Sequence, residues 1–347
     1  MRYTLTFHYP KNYGAFLQTF ALQIVLGDSI VLNFVPRWSF FVSARFPLPI
    51  RWFIGSLRKK KSLSNFPEKK YIKVSKSISS EKDAFFLKNE DCLIVGSDQI
   101  WNPLFINDQF IYFGKFSKKN IKLISYAASL GMTKWPTDFE KVVLPMLNRF
   151  NAVSVREKSS VEYLESIGIK NVVCVCDPTI LHDGNFYRHF FKCKKSNKKY
   201  SFIYMIREQI PKEAKEILLS KTIYVTLDDF LLPSISQWLE YIDQSEFVIT
   251  DSFHCVVFCL LFHKPFLIIP NQAKGMGMNE RFATLLGKTH LEYRFLTGQE
   301  TSDEVLEKLN IPIDWNSVDQ ILDEWRIFSL NWLKKALEKL YDSNEPK

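Results

Sequence analysis

The stretch EFVITDSFHCVVFCLLFHKPFLIIP, residues 246–270, decides the fold because two strands and a helix follow one another in it without interruption. The β-branched apolar run 247–250 predicts a strand that is buried on both faces. The apolar run 255–262 predicts a buried helix, and a lysine–proline pair ends it before a second strand over 266–269. Such a strand–helix–strand unit is typical of an α/β protein.

Polar side chains occupy the turn between the first strand and the helix. Asp251 and Ser252 are residue types that cap a helix N-terminus, and His254 follows in the first turn. Ligands of parallel sheets bind beyond the carboxyl ends of the strands, where helix N-termini favour anions. The turn therefore indicates a site for a phosphorylated or carboxylated ligand. The alternative is that Asp251 and Ser252 only cap the helix and that His254 packs against it.

Composition indicates a globular cytoplasmic protein with an anionic partner. The 347 residues are 46% apolar and 15% aromatic, enough for two domains with cores of their own. A net charge of +9 favours nucleic acid, anionic lipid or phosphorylated substrates, and no nucleic-acid-binding signature accompanies it, so we predict no nucleic-acid partner. The six cysteines lack paired CxxC spacing, which predicts buried thiols and no metal site.

No targeting or membrane-spanning pattern is visible, but one segment suits a membrane surface. Residues 1–8 have the pattern of a strand, not of a secretory signal, and no apolar run approaches the ~20 residues that span a bilayer. Residues 37–61 mix aromatic and basic side chains and contain Pro47 and Pro49. This segment predicts either peripheral contact with the inner face of the cell membrane or a loop-rich insertion whose aromatic rings pack on its domain.

The first half of the chain repeats the pattern of a strand followed by a polar turn. A strand over 3–7 leads to a turn and a helix, and a strand over 92–95 ends in GSDQIWNP, residues 96–103. Small, acidic and amide residues at a strand end favour a turn that binds a polar ligand over a plain loop. We expect the lysine-rich residues 62–90 to form an exposed connection and a helix.

Arg156 follows a further predicted strand over 152–155. A guanidinium at a strand end is well placed to form a bidentate hydrogen bond with a carboxylate or phosphate. The alternative is that Arg156 forms a surface ion pair with Glu157. Strands and helices go on alternating to a long amphipathic helix over 318–340. The sequence thus predicts an α/β fold of two doubly wound domains that face each other across a cleft.

Several of these turns together resemble one family. The segments that carry the resemblance to the polysaccharide pyruvyl transferases are NYGAFLQTFALQ (12–23), VGSDQIWNP (95–103), SYAASLG (125–131), SVREKSS (154–160), CDPTIL (176–181), TDSFH (250–254) and HKPF (263–266). The resemblance implies a GT-B-like fold of two Rossmann-like domains with the site between them. We place these domains at residues 1–170 and 171–312. In this arrangement residues 313–347 form a C-terminal helix that packs back on the first domain.

The resemblance also implies a reaction, in which the pyruvyl group of phosphoenolpyruvate is transferred to a sugar as a ketal and phosphate is released. It implies no cofactor besides this co-substrate. His254 is then the acid–base residue and Arg156 the anion clamp. Two positions depart from the family pattern, because Ser252 stands where many members have arginine and Cys255 where many have glycine. The expected donor-binding residues are Asp251, Ser252, Arg281 and Lys274.

The first domain is expected to bind the acceptor, a saccharide of a capsule or exopolysaccharide precursor that is linked to a lipid. Two other hypotheses remain, a nucleotide-sugar glycosyltransferase on the same architecture and a non-catalytic glycan-binding protein. The residues expected to contact the acceptor or line the cleft are Asn12, Tyr13, Gly14, Gln18, Ser97, Asp98, Gln99, Trp101, Asn102 and Ser129.

Overall fold

Short buried strands alternate with helices along the chain and pair into two parallel sheets, one in each of two units. The first unit comprises residues 1–178 and 331–347, and the second comprises residues 179–330. The computed structural model describes residues 1–8, 12–34, 67–78, 87–106, 110–115, 121–195, 198–206, 209–227, 229, 232–270 and 279–342.

The sheet of the first unit has seven described strands in the order β3-β2-β1-β4-β5-β6-β7, all parallel. Strand β2 lies on one side of β1 and strand β4 on the other, so the order of the strands reverses between β1 and β4. We call this place the switch point of the sheet. Ligands of open parallel sheets bind at such a point, beyond the carboxyl ends of the strands. The strands are β1 Arg2–Leu5, β2 Ser29–Phe34, β3 Val74–Ile78, β4 Cys92–Val95, β5 Lys122–Ala128, β6 Ala152–Val155 and β7 Val173–Cys174.

Helices connect these strands. Asn12 caps the first of them, because its Oδ1 accepts the N–H groups of Gly14 at 2.9 Å and of Ala15 at 3.3 Å. The helices of the first unit are α1 Tyr13–Leu26, α2 Pro103–Ile106, α3 Thr137–Leu147 and α4 Lys158–Ser166, with 3₁₀ turns at Pro67–Tyr71 and Phe110–Phe113.

The second unit repeats the plan on a smaller scale. Its parallel sheet has the order β11-β10-β8-β9, so its switch point lies between β8 and β10. The strands are β8 Ser201–Met205, β9 Thr222–Thr226, β10 Phe247–Thr250 and β11 Phe266–Ile268. The helices are α5 Gly184–Phe190, α6 Lys212–Glu216, α7 Ile235–Asp243, α8 Phe253–Phe262, α9 Glu280–Thr289 and α10 Ser302–Asn310. A 3₁₀ turn at Glu292–Arg294 precedes α10.

Each unit has a core of its own. In the first unit Trp101 stacks on Phe113 with ring centroids 5.6 Å apart and meets Trp135 edge-on. In the second unit the apolar side chains of β8, β10 and β11, among them Ile203, Ile249 and Leu267, form the core. Every residue of α8 is buried, as its unbroken apolar run predicts. The predicted α/β class, with two doubly wound parallel sheets, is confirmed.

The unit boundary differs from the predicted one at residue 170. The first unit continues to Pro178 because β7 pairs with β6 and completes the first sheet. The C-terminal helix, α11 Trp315–Asp342, contributes to both units. Within the first unit Trp332 packs on the ring of Tyr126, and the ammonium group of Lys122 donates to the carbonyl of Leu340.

Of residues 62–90 the structure describes 67–78 and 87–90, which contain a 3₁₀ turn and the edge strand β3. The sequence analysis did not predict this strand. The helix expected in the segment stays a prediction, because the other residues of 62–90 lie outside the described residues. The segment 37–61 and Lys274 lie outside the described residues. Within the described parts of the chain, no helix has both the length and the apolar character that crossing a membrane requires.

Candidate functional site

In the first unit, buried polar side chains join the carboxyl ends of β1 and β4 at the switch point. Thr6 donates its hydroxyl to the carbonyl of Ser97 at 2.7 Å. The amide of Gln18, which extends from α1, donates to the Thr6 hydroxyl at 2.9 Å and accepts the Ser97 N–H at 3.2 Å. Two of the predicted acceptor residues, Gln18 and Ser97, therefore lie side by side.

A buried ion-pair network adjoins Ser97. Arg156 Nη1 lies 2.8 Å from Asp177 Oδ2, and its Nε lies 3.2 Å from Glu157 Oε1. The hydroxyl of Ser97 also donates to Asp177 Oδ2 at 3.2 Å. The predicted pair between Arg156 and Glu157 thus exists, but its side chains are only 2% and 3% exposed. It is not the surface ion pair that the sequence suggested as an alternative.

The network holds the Arg156 guanidinium charged. Burial alone would lower the pKa of this group, but the carboxylates of Glu157, Asp177 and Asp98 outweigh it and hold the pKa above its ordinary value. Buried charges are stable only when they are paired and hydrogen-bonded. The contacts described for Arg156 join the ends of β5, β6 and β7, because its backbone N–H donates to the carbonyl of Ala128 at 3.1 Å and its guanidinium pairs with Glu157 and Asp177.

Ser129 extends the network along the same edge of the sheet. Its hydroxyl donates to Glu157 Oε1 at 2.7 Å and accepts the N–H of Gly131 at 3.2 Å. Its own N–H donates to the carbonyl of Asp98 at 3.0 Å. Asp98, a predicted acceptor residue with φ of 74°, therefore lies next to Ser129; it is half-buried, and its Oδ1 accepts the N–H of Gln99 at 2.8 Å.

Two other predicted acceptor residues have contacts within the protein, and two more are buried. The indole of Trp101 lies in the aromatic core and donates to the carbonyl of Tyr112 at 3.0 Å. Asn102 Oδ1 accepts the N–H of Leu104 at 3.0 Å, which caps α2. Tyr13 and Gln99 are buried, at the start of α1 and in the turn after β4. A ligand contact by any of these side chains remains a prediction.

Gly131 tests how tightly this edge is packed. Its φ is +66°, and a Cβ on it would lie 2.3 Å from Asn102 Nδ2. Gly168, in the same unit, also has a positive φ, of +96°, but a Cβ on it would have nothing within 4 Å. Backbone strain opposes alanine at both positions. We expect Gly131→Ala to cost about 1–3 kcal/mol more than Gly168→Ala, because the buried amide of Asn102 must move. Urea unfolding of both variants measures the difference, and equal values would contradict this packing.

In the second unit, Asp251 and Thr250 join the carboxyl ends of β8 and β10. Asp251 Oδ1 accepts the N–H of Ile206 at 2.7 Å, and the Thr250 hydroxyl donates to the carbonyl of Tyr204 at 2.6 Å. Ser252 caps α8, because its hydroxyl accepts the N–H of Cys255 at 3.4 Å. The capping alternative therefore holds for Ser252, whereas the Asp251 side chain binds the neighbouring strand at the switch point.

His254 and Arg281 lie at this same turn. His254 is the second residue of α8, is 6% exposed, and has its ring edge-on to Phe253 with centroids 5.4 Å apart. Arg281, from the first turn of α9, donates through Nη2 to the carbonyl of Asp251 at 3.3 Å. The structure thus brings together Asp251, Ser252, His254 and Arg281, four of the predicted site residues.

The sequence analysis missed two members of the first unit's network, Thr6 and Asp177. Asp177 is fully buried and contacts both Arg156 and Ser97. Its position in the segment CDPTIL, directly after the apolar run 172–175, was a signal that it lies at the carboxyl edge of the sheet. Thr6 lay inside the predicted first strand and had no such signal.

Comparisons with known proteins bear on both fold and family. The family model for polysaccharide pyruvyl transferase matches residues 12–272, well over half of the chain. A UDP-N-acetylglucosamine 2-epimerase from Listeria monocytogenes, described as putative, has a TM-score of 0.55 at 12% identity, with 100% of this chain and 98% of that chain covered. MnaA from S. aureus, solved with UDP, has a TM-score of 0.53 at 13% identity, with 100% and 99% covered. These two likenesses show the fold alone. A comparison with proteins whose functions have been curated found no match to the chain.

Proposed function

Because the chain belongs to the polysaccharide pyruvyl transferase family, we propose that it transfers the pyruvyl group of phosphoenolpyruvate to two hydroxyls of a sugar. In this reaction the bond between the enol carbon and the phosphate oxygen breaks, and two bonds from that carbon to sugar oxygens form. Each of the two sugar hydroxyls releases a proton. One of these protons is offset by the proton that converts the methylene of the donor to a methyl group, and the second leaves on the phosphate. The chemistry needs a general acid and cationic groups that hold the donor.

The second unit is the proposed donor side. Phosphoenolpyruvate carries a phosphate and a carboxylate, and a helix N-terminus beside a guanidinium attracts both. The hydrogen bond from Arg281 to the Asp251 carbonyl is the observation that carries the proposal, because it holds a guanidinium beside the start of α8. Arg281 then supplies the positive charge that many family members have at the position of Ser252. Lys274 remains a proposed second donor contact.

His254 is the proposed acid that protonates the methylene carbon of the donor. Its place in the first turn of α8 puts an imidazole on the same turn as Asp251 and Arg281. Protonation makes the neighbouring carbon electrophilic, so that a sugar hydroxyl attacks it. The same imidazole would regain its proton from an attacking sugar hydroxyl. His254 would therefore donate one proton and accept one proton in each turnover.

Arg156 is proposed as a positioning residue. Its charge is already met by Asp177 at 2.8 Å and Glu157 at 3.2 Å, both buried. A phosphate brought to this guanidinium would add negative charge to a cluster that already has more carboxylates than cations. We therefore assign to Arg156 the role of holding Ser97 and Ser129 in place, and to Arg281 the contact with the donor.

The first unit is the proposed acceptor side, with Asp98 and Ser129 as the residues that meet sugar hydroxyls. The acceptor that we propose is a saccharide on a lipid carrier at the inner face of the membrane, during synthesis of a capsule or exopolysaccharide. The enzyme would then be a cytoplasmic protein that associates peripherally with that membrane. The family description supports a saccharide acceptor.

A nucleotide-sugar transferase is the second candidate, because the fold is compatible with it as well. A melting-temperature screen separates the two candidates, since a ligand at about 100 times its Kd stabilises a protein by about 2.7 kcal/mol. We expect phosphoenolpyruvate to raise the melting temperature and UDP-N-acetylglucosamine to leave it unchanged. The opposite result would favour the second candidate, and acceptor binding without any phosphate release would indicate a non-catalytic glycan-binding protein.

Substitutions of Arg281 test the donor contact. Arg281→Gln should weaken phosphoenolpyruvate binding by about 10- to 100-fold, because a charge-assisted hydrogen bond contributes about 1.5–3 kcal/mol. Arg281→Lys keeps the positive charge but lacks the planar guanidinium that can donate two parallel hydrogen bonds, so we expect a loss of phosphoenolpyruvate affinity between those of wild type and Arg281→Gln. Isothermal titration measures all three affinities. An unchanged affinity in Arg281→Gln would remove Arg281 from the proposed site.

A further inference from the structure

The two edges of the four-stranded sheet in the second unit end differently. At one edge the N–H of Leu296 donates to the carbonyl of Ile268 in β11 at 2.9 Å, and Phe295 forms a parallel bridge with the same residue. At the other edge lies β9, and within the described part of the chain no strand pairs with its outer side. Edge strands present backbone N–H and carbonyl groups that are a template for pairing with another strand.

Alternate residues of β9 direct their backbone groups away from the sheet. The N–H of Ser201 in β8 donates to the carbonyl of Lys221 at 3.1 Å, and Ser201 is in register with Thr222. Because every second residue of a strand bonds to the same neighbour in a parallel ladder, Ile223 and Val225 continue the ladder to β8. The residues whose N–H and carbonyl groups point outward are Thr222, Tyr224 and Thr226.

The middle of this outer edge is open. The N–H of Thr226 donates to Asp229 Oδ2 at 2.9 Å, so one outward group is satisfied within the chain. The N–H and carbonyl of Tyr224 have no hydrogen-bond partner among the described residues, and its side chain is 46% exposed. Another strand can therefore pair at Tyr224 without displacing a hydrogen bond.

The composition of β9 does not protect it from pairing. Its sequence TIYVT contains only β-branched and aromatic residues, which favour strands, and it has no charge, proline or bulge. The edge strand of the first unit, β3, carries the exposed Lys76, and its register with β2 is irregular between Val31 and Asn33. Charged side chains and bulges are common means by which edge strands avoid pairing. Strand β9 has neither of these features.

We propose that β9 pairs with β9 of a second copy of this chain, antiparallel and around a two-fold axis at Tyr224. The sequence TIYVT reads nearly alike in both directions. The axis therefore places threonine opposite threonine, isoleucine opposite valine and tyrosine opposite tyrosine. A two-fold contact uses the same surface on both copies and requires such self-complementarity. The pairing joins the two four-stranded sheets into one continuous sheet.

The outward backbone groups fit this register. Because its N–H and carbonyl point outward, Tyr224 forms a hydrogen-bonded pair with Tyr224 of the second copy and exchanges both bonds with it. On each side of the axis, the N–H of Thr222 donates to the carbonyl of Thr226 of the other copy. These bonds leave the contact between Thr226 and Asp229 in place. The two tyrosine rings lie on one face of the sheet, where cross-strand aromatic pairs stabilise antiparallel strands.

Opposite charges meet at both ends of the paired strands. Lys221 directly precedes β9 and is exposed, and the carboxylate of Asp229 lies beside the outward N–H of Thr226. Since Thr226 faces Thr222 of the second copy, the Asp229 carboxylate of one copy lies close to Lys221 of the other. This charge complementarity identifies a second copy of the chain as the partner.

The contact is small and separate from the proposed reaction. A pair of five-residue strands is below the size of a standard interface, so we expect a reversible dimer that forms as concentration rises. Antiparallel pairing also places the turns after β10 of the two copies at opposite edges of the continuous sheet. The proposal therefore does not depend on the identity of the substrate.

Cysteine substitutions in the full chain test the register. In a hydrogen-bonded antiparallel pair the two Cα atoms are about 5.5 Å apart, a separation that suits a disulfide. Tyr224→Cys should therefore form a cross-linked dimer under mild oxidation, seen on a non-reducing gel. Thr222→Cys and Thr226→Cys should cross-link when mixed and not when oxidised separately. Wild type and Val74→Cys, which is exposed on β3, should remain uncross-linked.

Sedimentation velocity measures the association itself. Wild type should shift from monomer to dimer as its concentration approaches about 100 μM. Tyr224→Lys places like charges opposite each other at the axis and should weaken the dimer by at least about tenfold. Val74→Lys adds the same charge to the exposed edge strand of the first unit and should associate as wild type does. Circular dichroism checks that both variants are folded.

Three outcomes would overturn the proposal. The first is a wild type that stays monomeric over this range of concentration. The second is a dimer that Tyr224→Lys leaves intact, or one in which Thr222→Cys cross-links with itself as well as with Thr226→Cys. The third is a monomeric wild type whose melting temperature falls with Tyr224→Lys but not with Val74→Lys, which would mean that the outer edge of β9 pairs within one chain.

Discussion

His254→Asn is expected to lower the rate of phosphate release from phosphoenolpyruvate by about 10²- to 10⁴-fold, the contribution of a positioned general acid. Asparagine keeps a polar side chain at the second position of α8 but has no proton to give at neutral pH. The helix should be retained, because its cap is Ser252 and the rest of its surface is buried. Donor binding should therefore change far less than kcat.

His263 provides the matched control. It ends α8 in the left-handed backbone region with φ of 56°, which asparagine tolerates, and its ring pairs with Asp319 on an exposed surface. We expect His263→Asn to keep the wild-type rate. If His254→Asn retained the wild-type kcat while still binding phosphoenolpyruvate, another residue would be the acid.

Arg156→Met is expected to lower the free energy of unfolding by about 3–5 kcal/mol, which is the usual cost of removing one partner of a buried ion pair. The substitution leaves the carboxylates of Glu157 and Asp177 buried without their cation. Urea unfolding measures the loss, and circular dichroism at low urea shows whether the variant remains folded.

A triple variant in which all three charges of the network are removed is the control for Arg156→Met. Combining Arg156→Met with Glu157→Gln and Asp177→Asn removes the unpaired carboxylates, and it should recover most of the lost stability. Its activity should remain low, because Ser97 and Ser129 lose the charged carboxylate acceptors that orient their hydroxyls. A variant Arg156→Met of wild-type stability and weakened phosphoenolpyruvate affinity would instead make Arg156 a ligand of the donor.

The turn around His254 could be predicted because its signals are local. The apolar runs, the polar turn and the lysine–proline stop all lie within residues 246–270, and they correspond to β10, α8 and β11. Capping by Ser252 follows from residue type and position alone. The sequence did not show that the Asp251 carboxylate binds Ile206, because that contact depends on β8 lying beside β10.

Strand β3 was missed because an exposed edge strand lacks an apolar run. Its sequence is VSKSI, and of its side chains Ile78 is the one that is buried. Parallel pairing with β2 determines this strand, and no pattern within the segment indicates it. The same limit applies to Asp177, whose contact with Arg156 depends on the position of β7 beside β6.

Phosphate release from phosphoenolpyruvate, measured with a panel of pyranose glycans as acceptors, tests the central claim most directly. We predict that wild type releases one phosphate for each pyruvylated glycan formed, and that His254→Asn releases almost none while His263→Asn matches wild type. Absence of release with every acceptor, together with no binding of phosphoenolpyruvate by wild type, would contradict the proposed function.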